Sequence, residues 1–239
     1  MNTDTKWPKN LVVVRHGQSE LNVALDLMDR GLEDKLKGLT KVRDVDIELT
    51  DLGIRQARET GKYLGEQDFK FDACYSSPYK RAVHTAEEII AELPYKLKIF
   101  KDNRIREKEF GVNHCLPWNE FKEKFPEYYK ARKRDGKYWH RLPGGENYPD
   151  VEFRLHSFLG TLVRDLAGKN VLISTHQVPC VLLRSLFEHL GEKEVLALGD
   201  VPNCGVSIYK TDKLRHQEGR MKLIEWNKAV YDRLHSGAV

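Results

Sequence analysis

The sequence is poor in cysteine, in long apolar runs and in excess charge of either sign, and each shortage removes a class of protein. Its four cysteines, Cys74, Cys115, Cys180 and Cys204, are widely spaced and form no C-x-x-C pair. A disulfide scaffold and a cysteine-based zinc site are thereby set aside, and reduced thiols in a cytosolic protein are expected. The longest apolar runs are of strand length, so no transmembrane helix is expected. The first ten residues, MNTDTKWPKN, lack the apolar core of a signal peptide, and a soluble cytoplasmic protein is the expectation. The 40 basic and 36 acidic residues leave a net charge of only +4, too weak a field to suggest nucleic acid or a membrane as partner. Repeats, low-complexity tracts and linkers are also missing, so residues 1–239 are read as one domain, large enough to bury a substantial core.

What is present is a pair of similar strands. Leu11-Val-Val-Val-Arg15-His16-Gly17 is a short β-branched run that ends on a cation, an imidazole and a glycine. Such a run suits a strand buried on both faces of a parallel sheet. Asn170-Val-Leu-Ile-Ser-Thr-His176 repeats the design. Open α/β sheets place their chemistry at the carboxyl ends of such strands.

Around them the pattern alternates. A helix capped by Thr50 puts Ile54, Ala57, Gly61 and Leu64 on one face. A strand is read at 72–75, a helix from Pro78 to about Glu92, a strand at 97–100 and a loop over 101–117. A helix from Trp118 to about Arg134 should be divided at Pro126 and end near Gly136. The clearest helix is 150–167, where Val151, Leu155, Phe158, Leu159, Leu162, Val163 and Leu166 form a continuous apolar stripe. A helix over about 178–190 and strands near 205–210 and 221–226 complete the chain. Strands alternating with helices predict an α/β fold, a three-layer α/β/α arrangement on a mostly parallel central sheet. Its core is placed at about 11–210, with 23–49 and 101–148 as insertions or a lid around the site. Segment 23–49, which includes Arg30-Gly31 and Lys37-Gly38, is read as a flap or a subunit contact, which leaves a homodimer open.

Several polar side chains then converge on one sheet edge. Arg15 precedes His16, Arg81 falls in the first turn of the helix after the second strand, and Asn22 is within reach if the chain turns at Gly17. Two guanidinium groups, two imidazoles and helix N-termini would hold a phosphate dianion. Cations beside an imidazole disfavour its protonation, so one ring can stay a neutral nucleophile near neutral pH. Glu107, in the loop after the third strand, is the candidate acid for the leaving oxygen, and burial would keep it protonated. No carboxylate cluster suited to a metal lies beside the first strand, so a metal-independent site with no cofactor and a small phosphorylated substrate is expected. The basic run Lys130, Arg132, Lys133, Arg134 reads as a solvated helix face or as an anion-capturing one, and His84, His114 and His140 read as surface or loop residues. Trp118, Tyr138 and Trp139 are expected to pack a lid over the site.

These residues carry a resemblance. Arg15-His-Gly-Gln-Ser-Glu-Leu-Asn22, Tyr75-Ser-Ser-Pro-Tyr-Lys-Arg81 with Thr85-Ala-Glu87, Glu107 with Phe110-Gly111, Pro143-Gly-Gly-Glu146 and Ser174-Thr-His176 follow one another as in the histidine phosphatase superfamily of phosphoglycerate-mutase-like proteins. The resemblance implies the phosphoglycerate-mutase-like fold, His16 as the phosphorylated nucleophile and Glu107 as the proton donor. It also implies Arg15, Arg81 and His176 as the phosphate pocket, with Asn22 as a further donor. The short segment from Glu107 to Gly145, without an R-R-S-Y-type stretch, favours a phosphatase over a mutase. The stretch from Pro126 to Tyr148, with His176-Gln177, is similar to fructose-2,6-bisphosphatase domains, which implies Arg132, Lys137, Tyr148 and Gln177 as contacts for a second phosphate or a sugar. Two positions depart from those domains: Val181 replaces an arginine and Trp118 a tyrosine.

Overall fold

The structure is a computed structural model that describes residues 6–29, 38–39, 41–114, 116–212 and 220–231. Cys115 and residues 30–37 of the expected insertion, with its Arg30-Gly31 and Lys37, lie outside the described residues. Six strands, β1 (Asn10–Arg15), β2 (Ala73–Ser76), β3 (Ile99–Lys101), β4 (Asn170–Thr175), β5 (Val206–Asp212) and β6 (Arg220–Lys228), form one sheet in the order β3-β2-β4-β1-β5-β6. The first four are mutually parallel; β5 runs antiparallel to β1, and β6 to β5. The sheet therefore continues beyond the expected 11–210 core to Lys228.

The apolar runs explain why β1 and β4 sit at the centre. Leu11, Val13, Val171 and Ile173 enter one core, while Val12, Val14 and Leu172 enter the other. A strand buried on both faces needs side chains of this kind at every position. Helices α1 (Glu20–Asp29), α2 (Asp51–Gly65), α3 (Lys80–Ala91), α4 (Trp118–Lys124), α5 (Pro126–Trp139), α6 (Tyr148–Asp165), α7 (Gln177–Glu188) and α8 (Glu192–Ala197) surround the sheet. Ala57 and Leu64 of α2 and Ala86 and Ile89 of α3 cover one face. Val151, Leu155, Phe158 and Leu162 of α6 and Leu182 and Leu183 of α7 cover the other. The three-layer architecture is the expected one. Among the described residues no helix is long and apolar enough to cross a membrane.

Element ends differ from expectation for local reasons. The helix read from Pro78 starts at Lys80, because the Ser77 N–H is bonded to the Ser174 carbonyl and Tyr79 is still extended. Pro126 does divide the helical segment that starts at Trp118, as Phe125 leaves the helical region. Gly136 breaks the path of α5 with φ 78° and ψ 172°, yet helical hydrogen bonding resumes as far as Trp139. α6 starts earlier than the apolar stripe because Asn147 caps it reciprocally with Asp150. The loop read over 101–117 contains two short 3-10 turns, and α8 was not anticipated.

Candidate active site

Parallel strands in register bring the residues that follow them to one edge. Arg15 pairs with Thr175 across β1 and β4, and Ser76 with Ser174 across β2 and β4. His16, His176 and Ser77 therefore leave adjacent strand ends together, and the rings of His16 and His176 lie 5.0 Å apart. The turn after His16 depends on glycine. A Cβ at Gly17 would come within 2.4 Å of the Gly53 carbonyl oxygen, so this loop lies directly on the start of α2. Thr85 of α3 accepts the Gly17 N–H at 3.0 Å.

The surroundings fix the chemical state of both rings. His16 Nδ1 lies 2.7 Å from the carbonyl oxygen of Gly17 and, in the neutral ring, donates to it. Nε2 is then left unprotonated. Burial, with the charges of Arg81 and Arg15 beside it, holds the His16 imidazole well below its ordinary titration range. His176 is depressed for the same reasons, burial first. Its Nε2 sits 2.7 Å from Ser77 Oγ, a hydroxyl that already accepts the Tyr79 N–H, while its buried Nδ1 has no partner among the described residues. A neutral His176 that accepts from Ser77 carries its proton on Nδ1, as an anion donor would. Arg15 donates Nη1 to the Val201 carbonyl, and its buried Nε has no partner among the described residues. Arg81, also buried, is held through Nη1 by the Asp44 carboxylate at 2.7 Å.

Glu107 closes the edge from the loop after β3. It is buried, and Oε1 accepts the Lys108 N–H at 2.8 Å and the Val178 N–H of α7 at 3.3 Å. Burial raises its pKa, with the Lys108 N–H, Arg81 and Arg15 acting in opposition. A second tie, Thr175 Oγ1 to the Ile105 carbonyl at 2.6 Å, fixes the loop to the end of β4. Glu109 instead takes the Tyr79 hydroxyl at 2.8 Å and Arg106 Nε at 3.1 Å. One edge thus holds a neutral imidazole, two guanidinium groups, a second imidazole and a carboxyl whose pKa is raised by burial.

Residues 11–228 match the sequence profile described as Histidine phosphatase superfamily (branch 1). The chain belongs to this superfamily. Similar relatives include a 2,3-bisphosphoglycerate-dependent phosphoglycerate mutase of Treponema denticola, 29% identical over 85% of this chain and 87% of that protein. A protein of the same description from Rhizobium rhizogenes is 32% identical over 79% and 83%. The 6-phosphofructo-2-kinase/fructose-2,6-bisphosphatase 3 of Bos taurus is 31% identical over 75% of this chain, a match that spans 33% of that longer protein. Among solved structures, a mycobacterial glucosyl-3-phosphoglycerate phosphatase with inorganic phosphate superposes with a TM-score of 0.69 at 24% identity, over 93% of this chain and 98% of that one. It shares the fold.

The remaining candidate residues of this superfamily member fall in two groups. Asn22 lies beside the site. Its Oδ1 accepts from Ser19 N, Ser19 Oγ and Asn203 Nδ2, which leaves Nδ2 with no partner among the described residues. Gln177 does not offer a free amide: it donates to Gly199 and Asp200 and accepts from Val201, tying α7 to the loop that also takes Arg15. Tyr148 is buried in the field of Glu107 and Arg132, its phenol pushed up to about 12 chiefly by burial. Arg132 and Lys137 line a cavity of about 490 Å³ between α4 and α5, together with Trp118, Lys122, Tyr129 and Lys133. Tyr138 and Trp139 turn from this cavity, bonding Glu152 and Glu192, and His140 lies in a loop as expected but is buried beside Asp135. His114 meets the Val42 carbonyl at 3.2 Å, and His84 pairs with Glu88.

Sequence reading missed four contributors. Ser77 sets His176, Asp44 holds Arg81, Asn203 joins Asn22 to the His16 carbonyl, and Lys108 brings a half-buried cation next to Glu107. Only Ser77 and Lys108 carried a signal, through their places in the Ser-Ser-Pro and Glu-Lys-Glu stretches.

The two buried imidazoles have a thermodynamic consequence. Unfolded, each protonates near its ordinary value of 6.5; folded, only well below it. The unfolded chain binds more protons in that window. The stability from these rings is therefore complete above about pH 6.5 and is lost as pH falls, at up to about 1.4 kcal/mol per pH unit for each ring. Glu107, raised by burial, has the opposite sign: its contribution is present at low pH and lost as pH rises through its folded value. The urea midpoint is expected to fall between about pH 7 and pH 5.5, and to fall less in a His16→Gln/His176→Gln variant. An equal fall in both proteins would contradict neutral burial of the rings.

Proposed function

We propose that the chain is a phosphomonoester hydrolase that works through a phosphohistidine at His16. The observation that carries this reading is the fixed tautomer of His16, which leaves Nε2 neutral between Arg15 and Arg81. In the first step Nε2 attacks phosphorus, the bond from phosphorus to the ester oxygen breaks, and Glu107 gives its proton to the departing alkoxide. The guanidinium groups and His176 Nδ1–H neutralise charge on the non-bridging oxygens. In the second step water attacks the phosphohistidine, Glu107 takes its proton, and inorganic phosphate leaves with Nε2 restored.

The lid supports a substrate with a second anionic group. The cations of α4 and α5 divide into two sets. Lys124, Lys130 and Arg134 each bond a nearby carboxylate, whereas Lys122, Arg132, Lys133 and Lys137, which line the cavity, pair with no carboxylate among the described residues. The basic run is thus partly a solvated face and partly an anion-capturing one. Arg132→Ala is expected to lower kcat/KM about tenfold or more on a bisphosphorylated sugar or acid, mainly through KM. On p-nitrophenyl phosphate, which has no second anion, it should change little. Equal effects on both would remove the lid from substrate recognition.

The mutases among the relatives favour a second reading, in which a sugar or glycerate hydroxyl takes the phosphoryl group in place of water. An assay of 3-phosphoglycerate, with and without 2,3-bisphosphoglycerate, separates the two. Hydrolysis yields inorganic phosphate from a phosphate-ester panel and little isomer; a mutase yields 2-phosphoglycerate and little phosphate.

A further inference from the structure

The loop that carries Glu107 is held by a buried ion pair outside the phosphate pocket. Arg154 of α6 donates Nε and Nη2 to the two carboxylate oxygens of Glu146 at 2.9 and 3.0 Å. The same guanidinium donates Nη1 to the Arg104 carbonyl at 2.7 Å and Nη2 to the carbonyl of Glu107 itself at 3.0 Å. Glu146 completes the frame from the other side. Its carboxylate accepts Arg106 Nη2 and the Glu109 N–H, both at 3.0 Å, and its carbonyl accepts Lys108 Nζ at 3.1 Å. Backbone bonds join the two loops as well: Glu146 N–H to the Glu109 carbonyl at 2.9 Å, and Val112 N–H to the Pro143 carbonyl at 3.1 Å. Gly111 permits this approach, since a Cβ there would come within 2.2 Å of Pro143 O.

We propose that Arg154 and Glu146 form a clamp that positions the carboxyl of Glu107 over the leaving oxygen. Both side chains are largely buried, and the contacts fix the backbone on each side of Glu107. With Nε, Nη1 and Nη2 all engaged by protein, Arg154 is a positioning residue and not a substrate contact. Only a planar fork can reach a carboxylate and two carbonyls at once, so lysine cannot substitute for it. The proposal rests on the reading of Glu107 as proton donor, and its signature follows from that role. Displacing a proton donor slows expulsion of a poor leaving group more than that of a good one.

The test compares an alkyl phosphate with p-nitrophenyl phosphate in Arg154→Lys, Glu146→Gln and Glu107→Gln, with vanadate affinity measured alongside. Arg154→Lys is expected to lose about 10-fold or more on the alkyl ester, clearly less on the aryl ester, and to keep its vanadate affinity. Its activity should also decline at lower pH on the alkaline side, as a displaced carboxyl meets more water and ionises more readily. Glu146→Gln, a milder change from the other half of the clamp, should show the same pattern. Added to Glu107→Gln, Arg154→Lys should give no further discrimination between the esters. Equal losses on both esters with weakened vanadate binding, or no loss in either clamp variant, would overturn the clamp. If Glu107→Gln itself failed to separate the esters, the proton-donor reading would fall and the clamp with it.

Discussion

His16→Ala is expected to abolish turnover while leaving the protein folded and able to bind vanadate. The loss should reach roughly 10⁴-fold or more, the scale on which removal of a covalent nucleophile acts. No neighbouring group can replace it. His176 Nε2 is engaged with Ser77, and the buried thiols of Cys180 and Cys204 are pushed up by burial and stay protonated at neutral pH. Binding should persist because the donors that remain, Arg15, Arg81 and His176, come from other side chains, and vanadate resembles the trigonal transition state those donors fit. The truncation removes a ring at the sheet edge while β1 stays paired with β4 and β5. Kinetics and vanadate titration on the same preparation separate chemistry from binding. An active His16→Ala enzyme would place the nucleophile elsewhere.

Glu107→Gln carries the second large effect, and its size should depend on the leaving group. A sugar or glycerate alkoxide needs a proton to depart, so the variant is expected to lose about 10²-fold or more on an alkyl phosphate. p-Nitrophenolate departs largely unaided, and the loss there should be clearly smaller. Glu109→Gln provides the contrast. Glu109 faces Tyr79 and Arg106, so its variant should alter both reactions little. In the wild type, burial of Glu107 extends its protonated form above the ordinary carboxylate range, and the depressed His16 stays neutral far below the ordinary histidine range. Activity should accordingly persist into acid and decline as pH rises through the raised pKa of Glu107. A larger effect at Glu109, or equal effects of Glu107→Gln on both esters, would move the acid or remove it.

The sequence made the sheet legible where side-chain chemistry repeats at short range. Uninterrupted β-branched runs revealed β1 and β4, and the residue after each run is necessarily at the edge. That is why the sequence alone pairs His16 with His176. Arg81 and Glu107 were legible only through their positions after further strands and through the ordered motifs around them. What escaped depends on contacts between distant segments. Asp44 reaches Arg81 across 37 positions, and Asn203 reaches the His16 carbonyl across 187. No periodicity encodes such meetings. Gln177 shows the converse: its place beside His176 suggested a ligand contact, whereas its amide holds the 199–201 loop. Likewise, a run of cations on one helix could be sorted into paired and cavity-facing members only once the neighbouring carboxylates were placed.

The central claim, that His16 carries the phosphoryl group, is tested most directly by trapping it. Wild-type protein should be mixed with a ³²P-labelled phosphate ester, quenched within milliseconds in alkaline denaturant, digested and mapped. The account predicts label that survives base, is released by acid, resides on the peptide containing His16, and is absent from His16→Ala. Label that withstands acid, maps to a serine or an aspartate, or persists in His16→Ala would contradict it.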